Sequence, residues 1–197
     1  PTSDLEIIGD TKETGTKIIF KADPEIFDET VYNKSTLENR FREMAFLNKG
    51  VRLIFEDKRD ESEEEFKYDG GIKEFVEYLN RNKNPIFKEV PYFYGNQEST
   101  EVEISFQYTD GYSENILTFA NNIYTVEGGT HLSGFRSALT RSVNDYARKY
   151  NLLKENEDNL QGDDAREGIT AIISVKISNP QFEGQTKGKL GNSEVRG

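Results

Sequence analysis

Residues 169–178 read "ITAIISVKIS", the most β-branched run in a chain of 197 residues. Such side chains suit a pleated surface packed against neighbours, so the run is expected as a central strand. The polar segment "KENEDNLQGDDAREG" (154–168) precedes it. Before that, "HLSGFRSALTRSVNDYARKY" (131–150) places Leu132, Phe135, Leu139, Val143, Ala147 and Tyr150 on one helical stripe, with Arg136, Arg141 and Arg148 elsewhere around the cylinder. That helix should lay one face on a sheet. Further upstream "PYFYG" (91–95) reads as an edge strand, "TEVEISFQYTD" (100–110) and "SENILTFANN" (113–122) alternate as strands, and "DGY" between the latter two is a hairpin signal. Strand, strand, helix, strand is the order of an α+β layer, not of a doubly wound parallel sheet.

In the N-terminal part, "GGIKEFVEYLNRNKNP" (70–85) gives a short helix with Ile72, Phe75, Val76 and Leu79 on one face, ended before Pro85. A domain junction is expected near it. "VRLIFEDKRD" (51–60) reads as a strand, the acidic "DESEEE" (60–65) as a solvated turn, and "EFKYDGG" (65–71) as the returning partner. "STLENRFREMAFLNKG" (35–50) has Ser35 and Glu38 at capping-box spacing, Leu37, Phe41, Met44, Ala45 and Phe46 near helical period, and a stop at Gly50. The two β-rich runs Leu5–Ile8 and Lys17–Phe20, separated by "GDTKETGT" (9–16), are expected to pair as antiparallel strands.

Ten Tyr and 13 Phe supply large core side chains, which favours a folded protein with a polar skin. Zero cysteines exclude disulfides and thiolate metal sites and are compatible with the cytoplasm. No run approaches the ~20 apolar residues of a membrane span. The chain opens on Pro1 without Met or signal peptide, as a fragment or processed product would. A net charge of -11 repels DNA and anionic membrane on average, so any nucleic-acid contact needs a local basic surface.

Several residues could carry chemistry. In "QFEGQTKGKLGN" (181–192), Gly184 and Gly188 bracket Lys187, which lets the backbone come close to a partner and suits an anion, although the pattern is not the phosphate loop G-x-x-x-x-G-K-[ST]. His131 is the single histidine; at a helix start, after the N-cap candidate Thr130, a neutral ring bonded to local backbone is expected, not a metal ligand. Asp163, Asp164 and Glu167 in "GDDAREG" lack further ligands and have Arg166 beside them, so structural use is expected there too.

Taken together, "LTFANNIYTVEGGTHLSGFRSALTRSVNDY", "GDDAREGITAIISVKI" and "PQFEGQTKGKLGNSEVR" resemble the B-subunit family of bacterial DNA gyrase, a type II topoisomerase. "TGTKIIFKAD", "FREMAFLNKGVRLIFEDKR" and "YDGGIKEFVEYLN" fit the same family in the same order, so the likeness covers essentially the whole chain. The resemblance implies the C-terminal part of a Bergerat (GHKL) ATPase sandwich over residues 1–70, followed by a split βαβ transducer domain over 71–197. It implies ATP and Mg2+ as cofactors of the intact enzyme, a homodimeric clamp closed by ATP, the gyrase A subunit and double-stranded DNA as partners, and no membrane. By matching position it assigns Gln185 and Lys187 to the γ-phosphate, with Lys187 as sensor and transition-state stabiliser. It also assigns Thr16 to the adenine side of the nucleotide site and Arg136 to the DNA cavity between two transducers; Gly15, beside Thr16, is read for close backbone approach as well as ATP binding. The family's Mg2+-binding Asn, catalytic Glu, adenine-binding Asp and glycine-rich lid have no match here, nor has the last transducer helix, so the piece alone is not expected to hydrolyse ATP. Topoisomerase IV, another GHKL machine such as a mismatch-repair ATPase, and a truncated interaction module stand as alternatives.

Overall fold

The computed structural model describes residue 4, residues 6–97 and residues 99–197. The chain divides after Lys34 into two compact units. In the first, Asp23 organises a turn: its carbonyl accepts from the amides of Ile26 (3.1 Å) and Phe27 (3.0 Å), and its carboxylate accepts from the amide of Glu25 at 2.9 Å. Phe20 and Tyr32 meet edge to face with ring centroids 5.4 Å apart. The expected strand pair does not form. Residues 6–8 and 17–20 carry no ladder, while Leu5 lies outside the described residues. Ile7, Ile8, Ile18 and Ile19 are 76–97% exposed. A β-branched run becomes a strand only against a paired and packed neighbour, and the described residues supply none.

All but the first residue of α1 (Lys34–Leu47) lies in the second unit, and the helix buries Ala45, Phe46 and Leu47 at its end. It begins one residue before Ser35, so Ser35 lies in the first turn and not at the capping position. β1 (Leu53–Asp57) and β2 (Ser62–Phe66) form the expected hairpin, in register from Leu53↔Phe66 to Asp57↔Ser62. The acidic tip is shorter than expected, because Ser62 to Glu65 already belong to β2. α2 (Ile72–Asn80) buries Ile72, Phe75 and Val76.

Then follow β3 (Tyr92–Gln97), β4 (Thr100–Tyr108), β5 (Asn115–Ala120), β6 (Ile123–Tyr124), β7 (Gly128–Gly129), α3 (Thr130–Lys149), α4 (Gly162–Arg166) and β8 (Ile169–Ile177). The main sheet has the order β3-β4-β8-β5-β6. β8 is central, as its composition led one to expect. The hairpin read from "DGY" is wrong: β4 pairs with β8 antiparallel and β5 pairs with β8 parallel, so β8 separates the two strands that "DGY" connects. Burial decides the matter. Every residue of β8 except Lys176 is buried, and such a run gains most between two neighbours with both faces covered. Ile169, Ala171 and Ile173 pack with Phe135, Leu132 and Leu139 of α3. Ile172, on the opposite face by the two-residue period, packs with Phe46, Phe75 and Val76 from α1 and α2. Each such buried side chain contributes about 1.5–3 kcal/mol. Tyr150, placed on the α3 stripe by sequence, is instead 55% exposed.

Candidate functional site

The chain ends in β9 (Phe182–Glu183), β10 (Lys189–Leu190) and a 3-10 turn at Ser193–Arg196. β9 and β10 are antiparallel arms, with Gly191 donating its amide to Gln181 O at 2.7 Å across the base. At the tip the Lys187 amide donates to Gly184 O at 3.4 Å, and Gln185, Thr186 and Lys187 are all exposed. Gly184 (φ 78) and Lys187 (φ 56) both adopt left-handed backbone. Glycine does so freely; a lysine is held there against a cost of roughly 1–2 kcal/mol, the kind of strain that collects at functional sites. Lys189 is paired with Glu183 at 3.0 Å. Lys187 has no such partner among the described residues.

The loop is rooted in buried structure. β10 lies parallel to β7, Lys189 facing Gly128 and Leu190 facing Gly129. Gly129 has φ 138, and a Cβ there would stand 2.2 Å from Leu190 O, so the close approach requires glycine. One residue earlier, the Glu127 amide donates to Gly188 O at 2.9 Å, and the Gly128 amide closes a turn onto Thr125 O at 2.8 Å. The Thr118 hydroxyl donates to Thr125 O at 3.1 Å, the Thr125 hydroxyl donates to Thr118 O at 2.9 Å, and His131 Nε2 lies 3.1 Å from Thr125 Oγ1. His131 is 3% exposed, and burial pushes its pKa down to about 4. The ring is neutral as expected, but its partner is a side-chain hydroxyl and not backbone. Thr130 does not cap α3: Gly129 is the capping residue with no side-chain bond, and Thr130 Oγ1 is buried without a partner.

On α3, Arg136 forms an ion pair with Glu114, whose other oxygen accepts from Arg166 Nε at 2.9 Å. Burial alone would raise the Glu114 carboxyl, but hydrogen bonds from the two guanidiniums outweigh it and hold the group below the usual carboxylate range. Arg136, Thr140, Arg141, Asn144, Gln161 and Arg166 line a cleft of about 580 Å³. Arg148 is not free to join this surface, because it donates to Lys154 O, Glu157 O and Asn159 Oδ1 and so ties down the following loop. Asp163 pairs with Arg166 at 2.6 Å, and Asp164 accepts from the Gln161 amide at 2.7 Å in a capping box. The acidic loop is therefore occupied structurally. Gly15 and Thr16 belong to the first unit and are exposed, with open space around Gly15. The structure thus joins Gln185 and Lys187 in one turn and sets Arg136 on a separate helix face.

Residues 71–197 match the family model described as DNA gyrase B. The chain belongs to the DNA gyrase B family. The DNA gyrase B protein of Clostridium acetobutylicum is 60% identical over 196 residues, 99% of this chain and 31% of the relative. That of Bacillus cereus is 57% identical over 198 residues, 100% of this chain and 49% of the relative. The chain thus spans less than half the length of these relatives. Among solved structures, the 43K ATPase domain of Thermus thermophilus gyrase B, in complex with an aminocoumarin, is 42% identical with a TM-score of 0.77, covering 88% of this chain and 47% of that one. The mixed α+β architecture is accordingly that of the gyrase B ATPase region. Two contributors to this member of the gyrase B family went unread in its sequence. Glu114 neutralises arginines 22 and 52 residues away, a pairing with no local signature. Thr125 sits six residues before His131 in a stretch that reads only as a connection.

Proposed function

We propose that the chain is part of the ATPase and transducer region of a DNA gyrase B protein, in which ATP binding and hydrolysis drive closure of a dimeric clamp and passage of DNA. Residues 1–70 are read as the second half of the ATPase domain and 71–197 as the transducer, a division supported by the family match beginning at residue 71. The carrying observation is the Gln185–Lys187 turn. It offers an ammonium and an amide at an exposed tip, on a strained but firmly rooted backbone, and such donors fit the terminal phosphate of ATP. Lys187 offsets negative charge at that phosphate and stabilises its build-up during transfer. Once the phosphate leaves, the attraction is withdrawn, and a contact that differs between two nucleotide states can bias the positions of two domains. Gln185 orients the same group, while Thr16 serves the adenine side and Gly15 beside it contributes backbone to the ATP site. No cluster of three metal-ligating side chains occurs among the described residues, so Mg2+ is assigned to other residues of the longer protein. Arg136, with Arg141 near it, meets DNA phosphates without reading bases. The partners are a second copy of gyrase B, the gyrase A subunit and double-stranded DNA in the cytoplasm; no helix among the described residues is long and apolar enough to cross a membrane.

The test uses full-length gyrase B assembled with gyrase A. Lys187→Ala should lower ATP turnover about 10²-fold, the usual loss when one preorganised donor is removed, with the fold intact by circular dichroism. Near-normal turnover would remove the phosphate role. For the 197-residue chain alone, calorimetric titration with a non-hydrolysable ATP analogue and Mg2+ should show no tight binding.

A further inference from the structure

We propose that His131 is a positioning residue for the Gln185–Lys187 turn, acting from its buried seat at the start of α3 through Thr125 and the 125–128 turn on Gly188. The inference rests on the reading of Lys187 as a phosphate contact and adds what holds that lysine in place.

The hydrogen bonds define the path, and the tautomer of the ring sets the direction of donation along it. Thr118, Thr125 and His131 have two hydroxyl protons and one ring N–H between them. With the ring proton on Nε2, His131 donates to Thr125 Oγ1, Thr125 donates to Thr118 O or to the Thr118 hydroxyl 2.7 Å away, and Thr118 donates to Thr125 O. Every donor is then used. The atom left without a partner, Nδ1, is a lone pair, which is cheaper to bury unmatched than the N–H of the other tautomer. Thr125 is thereby pinned to β5 on one side and to α3 on the other. Its turn is closed by Gly128, and the Glu127 amide at the crest donates to Gly188 O at 2.9 Å. Gly188 directly follows Lys187. A left-handed lysine keeps its conformation only while the residues around it are held, so release of Thr125 lets Gly188 and then the Lys187 ammonium drift.

His131→Leu removes the donor, and His131→Gln restores one at a similar reach. In the 197-residue chain, amide hydrogen exchange at Glu127 should rise about tenfold in His131→Leu, the loss of roughly one buried hydrogen bond, and stay near the parent rate in His131→Gln. Val76→Ala, in the core on the opposite sheet face, serves as the control for general weakening and should leave the ratio of Glu127 exchange to β8 exchange unchanged. Thr125→Val removes the shared oxygen at nearly constant shape and should mimic His131→Leu, which keeps the test alive if the latter does not fold. In full-length gyrase B with gyrase A, His131→Leu should lower kcat for ATP about tenfold through misplacement of the lysine with little change in KM, and His131→Gln should recover it. Unchanged Glu127 exchange in both His131→Leu and Thr125→Val, or equal exchange in His131→Gln and His131→Leu, would overturn the proposal. Normal turnover in Lys187→Ala, with exchange responding as described, would instead remove the phosphate reading and leave His131 as the anchor of the loop.

Discussion

His131 carries a consequence for acid stability that can be worked out in sign. Its pKa in the folded chain is about 4 against an ordinary 6.5. As pH falls through 6.5 the unfolded chain takes up a proton that the folded chain refuses, so stability is complete above that value and declines towards pH 4. The full decline is about 3 kcal/mol. Carboxylates such as Glu114 add their own loss only lower, near and below their ordinary range. Urea midpoints between pH 7 and pH 5 should therefore fall in the parent and fall less in His131→Gln. Gly129 is a second decisive residue: with a Cβ facing Leu190 O at 2.2 Å, Gly129→Ala should separate β7 from β10 and destabilise by more than about 2 kcal/mol by steric overlap and left-handed strain, measured by thermal unfolding. At this scale the sequence was partly legible. A lone histidine at a helix start announces a neutral ring, but its partnership with Thr125 depends on a turn that local propensity does not specify.

Among elements, β8 dominates. Ile172 shares one buried cluster with side chains of α1, α2 and β5, and Ile172→Ala should cost about 2–5 kcal/mol in denaturant unfolding, as buried truncations do. Two residues along, Ser174 Oγ is buried with no partner, so Ser174→Ala should be neutral or stabilising by about 1 kcal/mol. The opposite signs at neighbouring positions make a sharp check on the packing. The centrality of β8 was readable because an unbroken apolar run needs cover on both faces. Its neighbours were not: "DGY" has the chemistry of a tight turn, yet long-range burial of β8 outweighed that local preference and split β4 from β5. The helices α1 and α2 were legible from period alone, since each buries a single face. Residues 6–8 and 17–20 show the converse, β-prone runs that remain unladdered because strand formation is a property of pairs.

For the molecule as a whole, charge and compactness are unevenly distributed. The net charge of -11 coexists with a cleft where Arg136, Arg141 and Arg166 converge beside Asp145; Glu114 already pairs with Arg136 and Arg166, so the cleft gathers arginines without being a uniformly basic surface. The first unit, with its exposed isoleucines and no ladder among its described residues, should be the first to be cut by trypsin; a mass-spectrometric time course should show cleavage within residues 6–34 before any cut in β4, β5 or β8. The order of β8 in the main sheet also bears on biosynthesis. A ribosome delivers β4 and β5 long before the strand that must lie between them, so the sheet cannot be laid down in step with translation. Until that late strand emerges, two half-apolar ribbons wait with open edges, and the nascent chain depends on chaperones or speed to avoid pairing with the wrong neighbour.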